Sequence, residues 1–124
     1  EVNMYDLPSL FAGKIHAVIC RTWQNRIKGR DLYDYIFYLS KGAAVNQKHL
    51  RQRLLQSGFI TPSVECTLPE IKEMLCERFD QIDYAQAKAD VEPFIRNPSV
   101  LNIWSADFFK QITESLFCDF HRIV

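Results

Sequence analysis

The sequence predicts an all-α fold, a bundle of about six helices. Apolar residues recur at three- and four-residue spacing through most of the chain, which is typical of one buried helix face. Helix-capping patterns recur between these stretches, glycine is scarce with four residues, and proline sits between segments. The opening letters "EVNMY" alternate weakly, which predicts either one short N-terminal strand or an extended lead-in.

The first two helices are predicted from periodicity and punctuation. Asp6 is a plausible N-terminal cap, with proline in the first turn, and apolar residues at helical spacing then continue to about Thr22. The letters "NRIKG" form the turn. A second helix is expected from about Arg30 to Lys41, and Gly42 closes it.

Two further helices follow from clear start and stop signals. Asn46 is expected to cap a third helix that runs through about Gln56, where a glycine soon stops it. Thr67 and Glu70 have the spacing of a capping box with an early proline between them. They predict a fourth helix through about Phe79.

The C-terminal part of the chain predicts two more helices. Asp83 resembles another capped start, and the Asn97-Pro98 dipeptide predicts a short turn. Ser105 is expected to start a last helix. Its apolar residues are Phe108, Phe109, Ile112, Leu116 and Phe117, and we expect its aromatic side chains in the core.

Length and charge limit the classes of function. A chain of 124 residues fits one domain, residues 1–124. Its formal net charge of zero argues against a dedicated nucleic-acid binder. Residues 1–60 nevertheless hold nine Lys/Arg against four Asp/Glu, a balance of +5, and residues 61–124 hold six against eleven, a balance of −5. Either the two halves dock and neutralise each other, or the first half faces phosphate groups.

Several kinds of site are unsupported by the sequence. The four cysteines form no CxxC pair, and His16 with Cys20 supplies only two of the four ligands that a structural zinc needs. No zinc-protease motif, nucleophile elbow or complete phosphate-binding loop occurs. The sequence has no visible signal peptide and no apolar run of membrane-spanning length. Free thiols without an export signal lead us to expect a cytoplasmic protein without membrane contact.

The charged residues of the first helical hairpin are the strongest candidates for a site. Lys14 and Arg21 are seven residues apart, about 700° of helical rotation, so they project from nearly the same side. Arg30, Asp31 and Asp34 follow at the start of the second helix, and the two carboxylates share a face. A hairpin would let the two groups meet. The group is then either an ion-paired hairpin or a wall of an active site in which the lysine meets phosphate.

The run "DLPSLFAGKIHAVICR…KGRDLYDYIFYLSKG", residues 6–42, resembles the downstream region of the AbiEii/AbiGii-type nucleotidyltransferase toxins. That family has a K-x-x-A helix, an arginine one or two turns later, and a helix that begins R-D-x-x-D. The matching residues, in order, are Lys14, Ala17, Arg21, Arg30, Asp31 and Asp34. The resemblance covers about the first third of the chain.

The resemblance implies an enzyme in two parts. An N-terminal nucleotidyltransferase sheet carries a Gly-Ser motif and metal-binding acids, and a helical C-terminal portion closes over the nucleotide. Such enzymes use NTP with Mg²⁺, have relatives that modify tRNA ends, and are often encoded beside an antitoxin. By this resemblance Asp31 is the catalytic acid, Lys14 and Arg21 bind nucleotide, and Arg30 with Asp34 supports them.

The sequence departs from that pattern in one respect: it contains no Gly-Ser dipeptide and no DxD pair. We therefore expect the C-terminal portion of a longer transferase whose N-terminal domain is missing. Such a portion would be inactive alone and bind neither Mg²⁺ nor NTP by itself. Two alternatives stay open. One is a stand-alone helical interaction module with a structural ion-paired hairpin. The other is a nucleic-acid-binding module that uses Lys48, Arg51 and Arg53, although these three also fit a solvated helix face.

Overall fold

The computed structural model describes residues 6–21 and 29–118 of the chain. These ranges contain no strand, only one isolated parallel bridge between Val45 and Cys118, so the predicted all-α class is confirmed. The strand or extended lead-in predicted at "EVNMY" lies outside the described residues. The helices are α1 (Leu7–Arg21), α2 (Gly29–Ser40), α3 (Gln47–Gln56), α4 (Leu68–Phe79), α5 (Tyr84–Val91) and α6 (Ala106–Thr113), with 3₁₀ segments at Glu92–Phe94 and Pro98–Ile103.

The predicted caps of α3 to α6 are all present. Each cap is a side-chain oxygen that accepts a hydrogen bond from a backbone N–H in the first turn, where no carbonyl of the helix is available. In α4 the box is reciprocal: the Glu70 backbone N–H donates to Thr67 Oγ1 and the Thr67 N–H donates to Glu70 Oε1 at 2.8 Å. The cap residues are Asn46, Thr67, Asp83 and Ser105.

The last helix is shorter than predicted. Helix α6 ends at Thr113, so Leu116 and Phe117 lie beyond it. The Phe117 carbonyl accepts a hydrogen bond of 2.9 Å from the Val45 N–H, and this pairing holds the segment extended. The expectation that the aromatic residues of this region are all core is wrong for Phe117, which is 45% exposed. The turn predicted at Asn97-Pro98 is the start of a 3₁₀ segment.

Helix α1 lies at the centre of the arrangement and packs against α2, α3 and α4. Helix α5 packs on α2, and α6 packs on α4. Fully buried apolar side chains from all six helices form one core, and the burial of each large one stabilises the fold by roughly 1.5–3 kcal/mol. Examples are Phe11, Ile15, Leu32, Leu50, Leu75 and Phe109.

One end of the core is aromatic. We call it the aromatic cluster, defined by Tyr35, Phe79, Tyr84, Trp104 and Phe109, whose rings lie with centroids 5.2–5.9 Å apart in neighbouring pairs. The cluster joins α2, α4, α5 and α6. Aromatic pairs at such separations add roughly 0.5–1.5 kcal/mol beyond area burial.

The polar atoms of the aromatic cluster find partners inside it. Thr113 Oγ1 donates its single hydrogen to the Phe109 carbonyl at 2.7 Å, so it accepts the 2.7 Å hydrogen bond from the Tyr35 hydroxyl. The Tyr84 hydroxyl donates to the Phe79 carbonyl at 2.7 Å. Burial raises the pKa of the Tyr35 hydroxyl, and the hydrogen bond to Thr113 acts in the opposite direction.

The first residue of α2 is in tight contact with α5. A Cβ placed on Gly29 would lie 2.0 Å from the Ala87 carbonyl oxygen, so only glycine fits with the two backbones at this distance. The Gly29 N–H also donates to Asp90 Oδ2 at 3.4 Å. This contact sets where α2 starts and therefore how Asp31 and Asp34 are presented.

Within residues 6–21 and 29–118, no helix has both the length and the apolar character that a membrane span requires.

Candidate functional site

The first two helices form the predicted hairpin contact. Lys14 Nζ on α1 lies 2.9 Å from Asp34 Oδ2 on α2, and the two side chains are 37% and 36% exposed. An ion pair with this much solvent contact contributes only about 0–1 kcal/mol to stability. The geometry therefore leaves the lysine ammonium both oriented and reachable from solvent.

Lys14 and Asp31 line the same cavity, which we call the Lys14 cavity. Its volume is about 410 Å³, within the range of small-ligand sites. Gly13 and Ala17 on α1 also line it, and their small side chains leave the space open. Its polar lining comes from three helices and the cap of α1: Asp6, Ser9, Lys14, Asp31, His49 and Arg53.

The two predicted aspartates occupy different environments. Asp31 is 7% exposed, one of two buried polar side chains in the described part of the chain, the other being Thr113. Asp34 is a third exposed and paired with Lys14. Asp31 is therefore a buried carboxylate on the wall of the Lys14 cavity, whereas Asp34 keeps partial contact with solvent.

The two predicted arginines do not join this site in the described atoms. Arg30 is exposed and lines no described cavity. Arg21 is the last residue of α1, and its side chain lies outside what the structure describes. The structure thus brings together Lys14, Ala17, Asp31 and Asp34 from the six positions of the sequence pattern.

A second cavity adjoins the first between α1 and α3. We call it the α1–α3 groove; its volume is about 450 Å³, and the described residues that line it all carry polar groups: His16, His49, Gln52, Arg53, Gln56 and Ser57. His49 and Arg53 line both cavities. The two cavities therefore meet along these two side chains.

Hydrogen bonds fix the wall of the groove where α1 meets the end of α3. Ser57 Oγ donates to the Leu54 carbonyl at 3.2 Å. His16 Nε2 and Cys20 Sγ lie 3.3 and 3.7 Å from Ser57 Oγ. Burial raises the pKa of the Cys20 thiol, while its hydrogen bond to Ser57 and the positive charge of Arg53 act in the opposite direction. Cys20 therefore contacts the Ser57 hydroxyl where α1 meets the end of α3.

Sequence reasoning missed His49 and treated Arg53 as part of a solvated basic face. Lys48 and Arg53 are exposed, as that interpretation expects, whereas Arg51 is partly buried. Arg51 donates from Nε to the Val64 carbonyl and from a terminal nitrogen to the Pro62 carbonyl, both at 2.9 Å, and so holds the loop after α3. Lys48 is exposed, and Arg53 lines the two cavities. Helical spacing alone could have distinguished Arg53 from Lys48 and Arg51, because Arg53 lies four residues after His49 and shares its face of α3.

The residues near Lys14 do not fit a magnesium site. Mg²⁺ needs an octahedral set of oxygens, usually anchored by carboxylates that face each other. No group of three or more His, Cys, Asp or Glu side chains that could hold a metal occurs within residues 6–21 and 29–118. Asp34, one of the two carboxylates of the R-D-x-x-D group, is already engaged by the lysine ammonium.

Residues 1–110 of the chain match the family described as the nucleotidyl transferase AbiEii toxin of type IV toxin–antitoxin systems. The match covers most of the 124 residues, so the chain belongs to this family. The resemblance predicted from residues 6–42 is confirmed and extends well into the C-terminal helices. No curated protein and no solved structure gives a significant match.

Proposed function

We propose that this chain is the C-terminal, nucleotide-closing portion of a nucleotidyltransferase from a toxin–antitoxin system. In the full-length protein it would help to transfer NMP from NTP to an acceptor such as RNA. One observation carries the proposal: Lys14, Ala17 and Asp31 of the family pattern line one cavity, and Asp34 orients the lysine.

Lys14 is proposed to bind a nucleotide phosphate. A lysine ammonium has three donors, so Nζ can keep its contact to Asp34 and still donate two hydrogen bonds to a ligand. A positive charge held on a cavity wall favours the negative charge that accumulates on phosphate oxygens during transfer. Arg21 is proposed to assist from the end of the same helix, and Arg30 to support the start of α2.

Asp31 is proposed as the catalytic acid-base group. During transfer the acceptor oxygen bonds to the α-phosphorus, the bond from that phosphorus to the β-phosphate oxygen breaks, and pyrophosphate leaves. The acceptor hydroxyl loses its proton in this step. A carboxylate on the wall of the Lys14 cavity can receive that proton, provided that the acceptor reaches it.

The chain alone is proposed to be inactive, and its whole length to form a single helical domain. The magnesium and the main NTP contacts are assigned to a missing N-terminal domain, because the residues around Lys14 do not fit a metal. Membership in a toxin–antitoxin family supports a cognate antitoxin as partner. A tRNA acceptor and a cytoplasmic location complete the proposal.

The coding sequence immediately upstream of Glu1 gives the first test. An open frame with a Gly-Ser motif and a DxD pair is expected, because the chain itself lacks both. A start codon close to Glu1 without these motifs would contradict the proposal. It would favour the alternative, a stand-alone interaction module in which the Lys14–Asp34 pair is only structural.

Substitutions in the protein that includes the upstream domain give the second test. Lys14→Ala is expected to lower transfer of labelled nucleotide by roughly 10²–10³-fold, and Asp31→Asn by roughly 10²–10⁴-fold. The matched control is Lys110→Ala, which breaks a similar ion pair to Asp80 at 2.7 Å that lines no described cavity. Equal activity of all three variants, or loss of helicity in the first two by circular dichroism, would favour the structural alternative.

A further inference from the structure

We infer that the α1–α3 groove is a phosphate-binding subsite that takes the backbone of a single-stranded polynucleotide acceptor. The inference rests on the proposed function, because it makes the groove the entry of the acceptor into the Lys14 cavity. It assigns binding roles to Arg53, His49, Gln52 and Gln56.

The groove side of α3 is a continuous row of side-chain donors. His49, Gln52, Arg53 and Gln56 are spaced by three, four and seven residues, so they share one face of the helix. Leu50 and Leu54 of the same helix are fully buried in the core. The row is therefore held on a rigid element, as a binding surface requires.

The lining of the groove has the chemistry of an anion site. None of the described residues that line it carries a carboxylate, whereas Asp6 and Asp31 line the neighbouring Lys14 cavity. In the described part of the chain, the Arg53 guanidinium and the Gln52 and Gln56 amides make no hydrogen bond or ion pair. A guanidinium flanked by neutral amide donors matches the oxygens of a phosphate group.

The position of the groove points to an acceptor strand more than to the nucleotide. Of these two cavities, Lys14 lines the first, Gln52 and Gln56 line the groove, and His49 and Arg53 line both. Each cavity alone has a volume typical of one small ligand or ligand segment. A strand whose terminal hydroxyl enters the Lys14 cavity would place the preceding backbone phosphate in the groove.

Binding of a fluorescent single-stranded oligouridylate to the 124-residue chain, measured by anisotropy across a salt series, tests the inference. Arg53→Gln is expected to weaken binding roughly tenfold and to reduce the salt slope by about 0.7, the loss of one phosphate contact. Gln56→Glu, which changes the groove alone, is expected to weaken binding by a similar factor through repulsion.

Two control variants separate the groove from general electrostatics. Lys48→Gln removes a positive charge from an exposed site on α3, and Gln111→Glu adds a negative charge to an exposed site on α6. Neither residue lines a described cavity, so both variants should bind nearly as wild type. Equal weakening by all four variants would overturn the inference in favour of non-specific binding, and no oligonucleotide binding at all would also overturn it.

Nuclear magnetic resonance of the three histidine side chains distinguishes the source of the phosphate. The oligouridylate is expected to shift the signals of His16 and His49, which line the groove. Titration with ATP alone should shift His49 at most, since this side chain also lines the Lys14 cavity. An ATP titration that shifts His16 and displaces the oligonucleotide would assign the groove to the nucleotide and overturn the acceptor assignment.

The groove assignment can fail while the proposed function holds, and two variants distinguish the two results. Lys14→Ala removes the proposed nucleotide contact without changing the groove, so it should lower transfer in the full-length protein by roughly 10²–10³-fold and leave oligonucleotide binding intact. Gln56→Glu should leave the Lys14 cavity unchanged and raise the KM for the acceptor. Normal acceptor KM in Gln56→Glu, together with loss of transfer in Lys14→Ala, would overturn the groove assignment alone.

Discussion

The hydroxyl groups of the aromatic cluster are hydrogen-bonded within the protein, whereas the polar side chains of the α1–α3 groove face an open cavity. In the cluster, the Tyr35 hydroxyl donates to Thr113, which donates to the Phe109 carbonyl, so each hydroxyl is used inside the protein. In the groove, the side chains of Gln52, Arg53 and Gln56 line an open cavity. Tyr35 and Thr113 are buried, whereas the three groove residues are exposed.

The difference indicates which region stabilises the fold and which is available for ligands. A buried hydroxyl without a partner costs roughly 1–3 kcal/mol, and the cluster avoids that cost by pairing its groups. Donors that face solvent carry no such penalty, and they can exchange water for a ligand. Substitutions in the cluster should therefore change the free energy of unfolding, and substitutions in the groove should change ligand affinity.

The largest expected effect is the truncation of the aromatic cluster at its centre. Phe109 is fully buried and touches the rings of Phe79, Tyr84 and Trp104. Phe109→Ala should lower the free energy of unfolding by about 3–5 kcal/mol, because it removes apolar contacts and leaves a cavity. Urea denaturation followed by circular dichroism measures this change.

The control for that truncation is Phe94→Ala. Phe94 is 75% exposed, so its removal should change the free energy of unfolding by no more than about 0.5 kcal/mol. If the two substitutions had equal effects on the urea midpoint, the cluster would not be the stabilising region.

A middle-sized effect is expected from the buried hydroxyl chain. Thr113→Val should cost about 1–3 kcal/mol, because it leaves the Tyr35 hydroxyl buried without an acceptor. Tyr35→Phe should cost less, about 0.5–1.5 kcal/mol, because Thr113 keeps its bond to the Phe109 carbonyl. Thermal unfolding of both single variants and the double variant tests the order, and a larger loss in Tyr35→Phe would contradict the assigned direction of donation.

The smallest effect on stability is expected in the groove. Gln52 and Gln56 are exposed, so Gln52→Ala and Gln56→Ala should each change the free energy of unfolding by less than about 0.5 kcal/mol. The same urea titration measures this. A loss above 1 kcal/mol in either variant would mean that the row of donors on α3 supports the fold, and the contrast with the cluster would disappear.

The starts of the helices could be predicted because a cap is local chemistry. Asn46, Thr67, Asp83 and Ser105 each bond a backbone N–H within three residues, and that pattern is visible in the sequence. The end of α6 could not be predicted. It depends on the pairing of the Phe117 carbonyl with the Val45 N–H, from a segment more than seventy residues away.

Only part of the candidate site could be predicted from the sequence. Lys14, Asp31 and Asp34 belong to one hairpin, so helical geometry and a family pattern suffice to bring them together. His49 and Arg53 come from α3, which carries no part of that pattern. Their place beside Lys14 depends on how α3 packs on α1, and no local signal in the sequence describes that packing.

The close contact at Gly29 links substitutions at the start of α2 to the position of α5. The missing side chain of Gly29 admits the Ala87 carbonyl, so any mutation that adds a Cβ at position 29 would push α5 away from α2. The same push would turn or shift the helix that carries Asp31. Sequence changes that move α5 are therefore expected to affect the position of Asp31 and Asp34 as well. The backbone of α5 and the residue at position 29 are expected to change only together, and homologues that carry a side chain there should carry a displaced or shortened α5.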